Sequence, residues 1–165
     1  MEYERKQEHA SVAWYKLADL IARGEREKAL SVYRLLAHSL DDKAYALQLE
    51  GDVLSALDDP RAKEKYFQAA TLYKTEKRWA DAAALSEHLL ALHPKDPIFL
   101  LFAVYCYAVL EVESKVRQHY TSFVENITSR EITTDSFIEE LTALQALAQQ
   151  RPWLASVLCR PISPQ

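Results

Sequence analysis

The chain has 165 residues, of which 49% are apolar and 27% charged, enough to form a buried core and too apolar for global disorder. It contains only two glycines, so the glycine-rich loops of P-loop and dinucleotide-binding sites are excluded. Its 24 acidic residues outnumber its 20 basic residues, which argues against general binding to nucleic-acid phosphates.

Apolar residues recur with a helical period in the first part of the chain. This period predicts a first helix over residues 12–22, which Gly24 ends. A second helix is predicted over residues 29–40. Asp41 and Asp42 follow it and are candidate N-caps for a third helix, from Ala44 to Leu57.

Aspartate–proline pairs mark the later helix starts. Asp59-Pro60 predicts a helix that runs to about residue 76, because proline is favoured at the first helical position. The next helix is predicted over residues 79–92. Asp96-Pro97 then repeats the start signal.

The last predicted helices cover residues 97–110, 114–127 and 136–150. Ser136 and Glu139 have the spacing of a capping box, and Arg151-Pro152 ends the last helix. We therefore predict eight helices and no strand, which is an all-α fold.

The chain also repeats itself. Ala29 falls on Ala62 and Tyr33 on Tyr66, each 33 residues later. This pattern resembles the tetratricopeptide repeat family, whose units are two antiparallel helices. The matching residues in the three repeats are Trp14, Leu17, Ala18, Ile21, Ala29, Tyr33 and Leu36, then Leu47, Gly51, Leu54, Ala62, Tyr66 and Ala69, then Tyr66, Ala69, Ala70, Tyr73, Ala82, Ser86, Leu89 and Pro94.

The resemblance implies an antiparallel helical-hairpin array over residues 1–130, with a C-terminal capping helix and tail at 131–165 in the same domain. The usual activity of this family is to bind a peptide or helix of another protein in a concave groove lined by the first helices, so the resemblance implies a non-enzymatic interaction module here. Which face the helices after residue 61 present to that groove stays open. Carried over by position, the groove residues are Tyr15, Lys16, Asp19, Gln48, Asp52 and Ser55, with Val12, Ala22 and Tyr45 beside them.

The predicted helix at 97–110 is apolar on all sides, so it is either buried or part of an interface. It is too short to cross a membrane, which takes about 17–25 residues. One alternative is that the C-terminal helices and tail surround it. The other is that one flank docks an apolar partner segment or a second copy of the chain. That flank would consist of Ile98, Leu101, Phe102 and Tyr105.

The sequence offers little for catalysis or metal binding. No two of the five histidines have the i, i+4 spacing of a helical metal site. Ser86, Glu87 and His88 are consecutive and therefore point to different sides of a helix. Cys106 lies in an apolar run, which predicts a buried thiol. We therefore expect no enzyme activity, no metal and no cofactor.

Charge is distributed in two adjacent blocks. Residues 41–60 hold six acidic residues and one basic residue, and residues 61–80 hold six basic and two acidic residues. The blocks are expected to cancel partly across a helix pair, although the basic block could also form a ligand site.

A cytoplasmic protein–protein interaction module is the function predicted from the sequence, with no nucleic-acid partner and no membrane insertion. Its small size and acidic charge are also similar to those of secretion chaperones that hold an apolar segment of an exported protein. A third alternative is a structural subunit that forms homo-oligomers through the apolar helix at 97–110.

Overall fold

The structure is a computed structural model that describes residues 2–127 and 135–159, with side chains from residue 12 onward. Within these ranges all regular structure is helical and no strand is present, which confirms the all-α prediction. The helices are α1 (Glu2–Ala22), α2 (Arg26–Ala37), α3 (Lys43–Ala56), α4 (Ala62–Thr75), α5 (Trp79–Leu92), α6 (Pro97–Val109), α7 (Glu113–Asn126), α8 (Asp135–Gln150) and α9 (Pro152–Leu158).

Two of the predicted helix starts are confirmed by their caps. The carboxylate of Asp42 accepts a hydrogen bond from the backbone N–H of Tyr45 at 2.9 Å, at the start of α3. Asp96 accepts hydrogen bonds from the N–H groups of Ile98 and Phe99, and Pro97 occupies the first turn of α6. These contacts satisfy donors that a helix start would otherwise leave unpaired.

The two ends of the described chain differ from the prediction. α1 begins at Glu2 rather than near residue 12, in a charged stretch without apolar periodicity whose Glu, Lys, Arg and Gln residues nevertheless favour helix. Pro152 ends α8, as predicted, but it also starts a further short helix, α9, instead of a tail. The predicted tail beyond it, residues 160–165, lies outside the described residues.

The chain divides into two compact units, Met1–Leu72 and Tyr73–Gln165, with the division inside α4. In the first unit, α2 packs against α1 and α3. The repeat positions of α2 and α4 are buried in its core. They are Ala29, Tyr33, Leu36, Ala62, Tyr66 and Ala69.

Gly51 on α3 lets Tyr66 on α4 approach closely. A Cβ atom at Gly51 would lie 2.6 Å from Cδ1 of Tyr66, well inside van der Waals contact. The ring is 2% exposed, and its hydroxyl donates a hydrogen bond to Asp52, so it is held in place. Glycine is therefore required here for packing, and no unusual backbone angle is involved.

Replacing Gly51 by alanine is expected to lower the free energy of unfolding of the first unit by about 1 kcal/mol. The cost of overpacking, about 1–3 kcal/mol, exceeds the gain of about 1 kcal/mol that alanine brings to a helix interior. Urea denaturation followed by circular dichroism measures the change. Gly51→Leu should cost more, and a gain in stability for Gly51→Ala would contradict the close approach.

The second unit is built around α6, which packs against α5, α7 and α8, while α9 packs against α8. Leu101 and Phe102 are completely buried. Of the two alternatives for the helix at 97–110, the structure therefore favours burial within its own unit, and these two residues do not form an exposed docking flank. Ile98 and Tyr105 are half-buried. A helix that is apolar on all sides is thus covered here by other helices of its own unit. None of the described helices is long and apolar enough to cross a membrane.

Candidate binding surface

The predicted groove residues of α1 share one exposed face, which we call the α1 face: Val12, Tyr15, Lys16 and Asp19. Tyr15 is 79% exposed and Val12 65%, while Leu17 and Leu20 on the other side of the helix are buried. Asp19 forms an ion pair with Arg23 at 2.7 Å. The spacing of three and four residues brings these side chains together on one side of the helix.

The predicted groove residues of α3 likewise share a face, which we call the α3 face: Tyr45, Gln48, Asp52 and Ser55. Tyr45 is 43% exposed. Asp52 is exposed, and Gln48 and Ser55 are half-buried. Next to this face, Ala44, Gly51 and Leu54 of α3 are buried in the core of the first unit.

A hydrogen bond from α4 fixes the carboxylate of Asp52. The hydroxyl of Tyr66 donates to its Oδ1 atom at 2.8 Å. Burial of the phenol, followed by this hydrogen bond to Asp52, raises the pKa of Tyr66 above its usual value. Tyr66 therefore remains a donor at any physiological pH, and it orients Asp52 from the core side of the helix.

The α1 and α3 faces both belong to the first unit, on helices that each pack against α2. Each places an exposed tyrosine beside carboxylate, amide, hydroxyl or ammonium groups. Such a surface has the chemistry of a protein-binding site, in which tyrosine supplies contact area and polar groups supply orientation. That the two faces form one groove stays a prediction.

The second unit contains a polar cluster that sequence reasoning missed. The Oε1 atom of Glu87 on α5 accepts a hydrogen bond from the hydroxyl of Tyr107 on α6 at 2.9 Å. The same oxygen lies 3.0 Å from Lys115 Nζ and 3.0 Å from His119 Nε2, both on α7. The rings of Tyr107 and His119 stack with their centres 5.7 Å apart. This cluster, which links three helices, left no periodic signal in the sequence.

Burial would raise the pKa of Glu87, but hydrogen bonds from Lys115, His119 and Tyr107 outweigh it and lower the pKa below its usual value. The ionised carboxylate therefore stabilises the folded state above about pH 4.5, and this contribution is lost as the pH falls through the lowered pKa. Burial first, then the hydrogen bond to Glu87, raises the pKa of Tyr107 to about 12.

We expect Glu87→Gln to lower Tm by about 4 °C at pH 7. The neutral amide oxygen accepts weaker hydrogen bonds from the neighbouring side chains than the ionised carboxylate does. The difference between the two proteins should shrink as the pH falls through the lowered pKa of Glu87, where the wild-type carboxylate becomes protonated. Thermal melts of both proteins between pH 3 and pH 7 test this. A difference that does not depend on pH would mean that the charge of Glu87 contributes nothing.

A second buried polar contact lies in the same unit. Lys74 Nζ is 2.8 Å from both carboxylate oxygens of Glu140 on α8. The ammonium group also lies over the rings of Tyr105, at 4.4 Å, and Phe102, at 5.1 Å. Such cation–ring contacts compensate part of the hydration that a buried lysine loses. Lys74 and Glu140 are 66 positions apart in the sequence, and neither belongs to the predicted binding residues.

Both cysteines are free thiols in contrasting environments. Cys106 is completely buried, as predicted, and Cys159 is exposed. Burial raises the pKa of Cys106 to about 12, against a smaller lowering effect of Lys74. The Cys106 thiol is therefore unsuited to act as a nucleophile near neutral pH.

An apolar cavity of about 460 Å³ lies among α7, α8 and α9. Its walls include Leu141, Leu144, Ala148 and Leu158, and the hydroxyl of Tyr120 donates to the backbone oxygen of Leu158 at 2.9 Å. No pattern in the sequence predicts this cavity, because its walls come from three separate helices.

In the described part of the chain, no group of three histidine, cysteine, aspartate or glutamate side chains is placed to hold a metal ion. The α1 and α3 faces of the first unit form the candidate binding surface. The sequence matches no protein-family model, and neither curated proteins nor solved structures include a significant match to it.

Proposed function

We propose that the chain is a non-enzymatic interaction module of the tetratricopeptide type, which binds a segment of another protein on its α1 and α3 faces. One observation carries this proposal. Two large apolar side chains, Val12 and Tyr15, are left 65% and 79% exposed on the same side of α1. Such a pair beside polar groups is typical of an interaction site, and tyrosine is among the residues most often critical in interfaces.

The repeat positions support the family assignment. Tyr33 and Tyr66 occupy equivalent positions of the internal repeat, 33 residues apart. Both are buried, and both donate hydrogen bonds to α3. Gly51 supplies the close approach that small residues provide between repeat helices. Stacked hairpins bury a shared core and leave the first-helix faces for a partner. We propose that the chain acts in the cytoplasm as an adaptor or scaffold.

Comparing partner capture by two matched variants tests the proposal. Tyr15→Ser removes the most exposed aromatic side chain of the α1 face, and Leu35→Ser removes a leucine on α2 that is 75% exposed. We expect Tyr15→Ser to lose at least about 1 kcal/mol of binding energy, roughly a fivefold loss of affinity, and Leu35→Ser to bind normally.

Affinity capture from native lysate, followed by quantitative mass spectrometry, supplies the measurement. Proteins that the wild type and Leu35→Ser retain, and that Tyr15→Ser loses, are specific partners of the α1 face. Equal recovery with all three proteins would contradict the proposal. Circular dichroism spectra of the variants check that both remain folded.

The apolar cavity favours a second candidate, a secretion chaperone for an apolar segment of an exported protein. In that case Ala148→Phe, which fills the cavity wall, should block capture while Tyr15→Ser leaves it intact. The third alternative, a subunit that oligomerises through α6, loses support because Leu101 and Phe102 are buried within their own unit.

A further inference from the structure

The charges around α3 point to the chemistry of the partner segment, an inference that rests on the proposed function. Residues 41–60 carry six carboxylates and a single cation, Lys43. Three of these carboxylates serve the fold. Asp42 caps α3, Glu50 forms an ion pair with α4 at 3.2 Å, and the buried Asp59 forms ion pairs with two arginines.

The other three carboxylates, Asp41, Asp52 and Asp58, are exposed to solvent. Within the described residues, none of the three takes part in an ion pair. Lys43 does not neutralise the α3 face, because it lies about 160° around the helix from Tyr45. The predicted cancellation between the acidic and basic blocks is therefore incomplete. The excess negative charge lies on the solvent side of α3, at Asp52, and before its start, at Asp41. After its end, Asp58 is offset by the second of the two arginines that pair with Asp59.

The α3 face also holds groups suited to a long cationic side chain. Tyr45 and Asp52 lie seven residues apart, about 10 Å along the same side of the helix. The exposed ring of Tyr45 can pack against a methylene stem or a cationic head group. Tyr66 donates to the Oδ1 atom of Asp52. Among the described residues no partner lies at the Oδ2 atom of Asp52, which can therefore accept from a donor outside the chain.

We propose that the α3 face binds a basic segment of the partner, with a lysine or arginine paired to Asp52 and the neighbouring chain packed on Tyr45. The exposed Asp41 extends the negative potential beyond the start of the helix and favours a further basic residue on that side. An acidic segment is repelled by Asp41 and Asp52.

Two fluorescein-labelled synthetic peptides of equal length and equal apolar content, one carrying lysines and the other glutamates, serve as probes. Fluorescence anisotropy with the full chain measures their affinities. We expect the lysine peptide to bind and the glutamate peptide not to bind. Asp52→Asn should weaken binding of the lysine peptide about twofold to fivefold, as for an exposed ion pair. At about 1 M salt, where the Debye length is about 3 Å, this difference should disappear.

Glu139→Gln is the matched control, because it removes one exposed negative charge from α8 in the other unit. It should leave the affinity for the lysine peptide unchanged. Asparagine at position 52 keeps an oxygen that can accept from Tyr66, so the fold is expected to survive, and a thermal melt checks this.

Equal losses for Asp52→Asn and Glu139→Gln would overturn the proposal, since they would indicate attraction by net charge alone. Equal binding of the two peptides, or full binding of the lysine peptide by Asp52→Asn, would overturn it as well. These results leave the proposed function standing if Tyr15→Ser still weakens capture of the natural partner while Leu35→Ser does not. Failure of that capture test is therefore distinguishable from failure of the basic-segment proposal.

Discussion

Replacing Phe102 by alanine is expected to lower the free energy of unfolding of the second unit by about 3–5 kcal/mol. The ring is completely buried on α6, which contacts three other helices of that unit. Truncation removes the ring's apolar contacts and leaves a cavity that tightly packed neighbours fill only in part. It also removes one of the two rings beneath the Lys74 ammonium group. Chemical denaturation, followed by a probe of the second unit, measures the loss.

Ile138→Ala on α8 is the control, because Ile138 is 51% exposed and its truncation should change stability by less than about 0.5 kcal/mol. The experiment also discriminates between the two interpretations of α6. If Phe102 formed a docking surface, Phe102→Ala would leave stability unchanged and alter the mass measured by light scattering. We expect instead that Phe102→Ala lowers stability and leaves the mass measured by light scattering unchanged.

Replacing Glu140 by alanine is expected to destabilise the second unit by about 2–4 kcal/mol. Its carboxylate holds Lys74 through two contacts of 2.8 Å, and the two side chains are only 11% and 19% exposed. Removing one partner of such a pair leaves a charge that is poorly hydrated and uncompensated. The loss is expected to be smaller than for a fully buried pair, because the lysine can move part of its flexible side chain towards water.

A double replacement separates two quantities: the net contribution of the ion pair to stability, and the cost of leaving one of its charges without a partner. Lys74→Met together with Glu140→Leu fills similar volume without charge, and buried pairs replaced in this way often lose no stability. We therefore expect the double variant to be more stable than Glu140→Ala. Additive losses in a double-mutant cycle would show that the two side chains are not coupled.

The local elements of the fold were largely predictable. Asp42 and the Asp96-Pro97 pair mark helix starts through contacts within one turn, so the sequence contains both partners of each contact. The burial of Tyr33 and Tyr66 was likewise predictable from their equivalent places in the repeat. The exposure of Tyr15 follows from its spacing relative to the buried positions of α1.

Features that depend on the packing of distant helices could not be predicted. The contacts of Glu87 with His119 and of Lys74 with Glu140 join residues separated by 32 and 66 positions, and no period in the sequence relates them. In α6 every side is apolar, so the pattern cannot indicate which side is covered. The sequence therefore left two alternatives open, a covered helix and a docking flank at Leu101 and Phe102.

Because one thiol is exposed and the other is buried, chemical labelling of the native cysteines can report on the opening of the second unit. Maleimide dyes should attach to Cys159 in the native protein without any engineered substitution, since that side chain is open to reagent. Cys106 should react only after the helices around it separate, so its slow modification would time the rare openings of the second unit. In one labelling time course, the fast reaction of Cys159 would confirm that its side chain is accessible, and the slow reaction of Cys106 would give the lifetime of the closed state of the second unit.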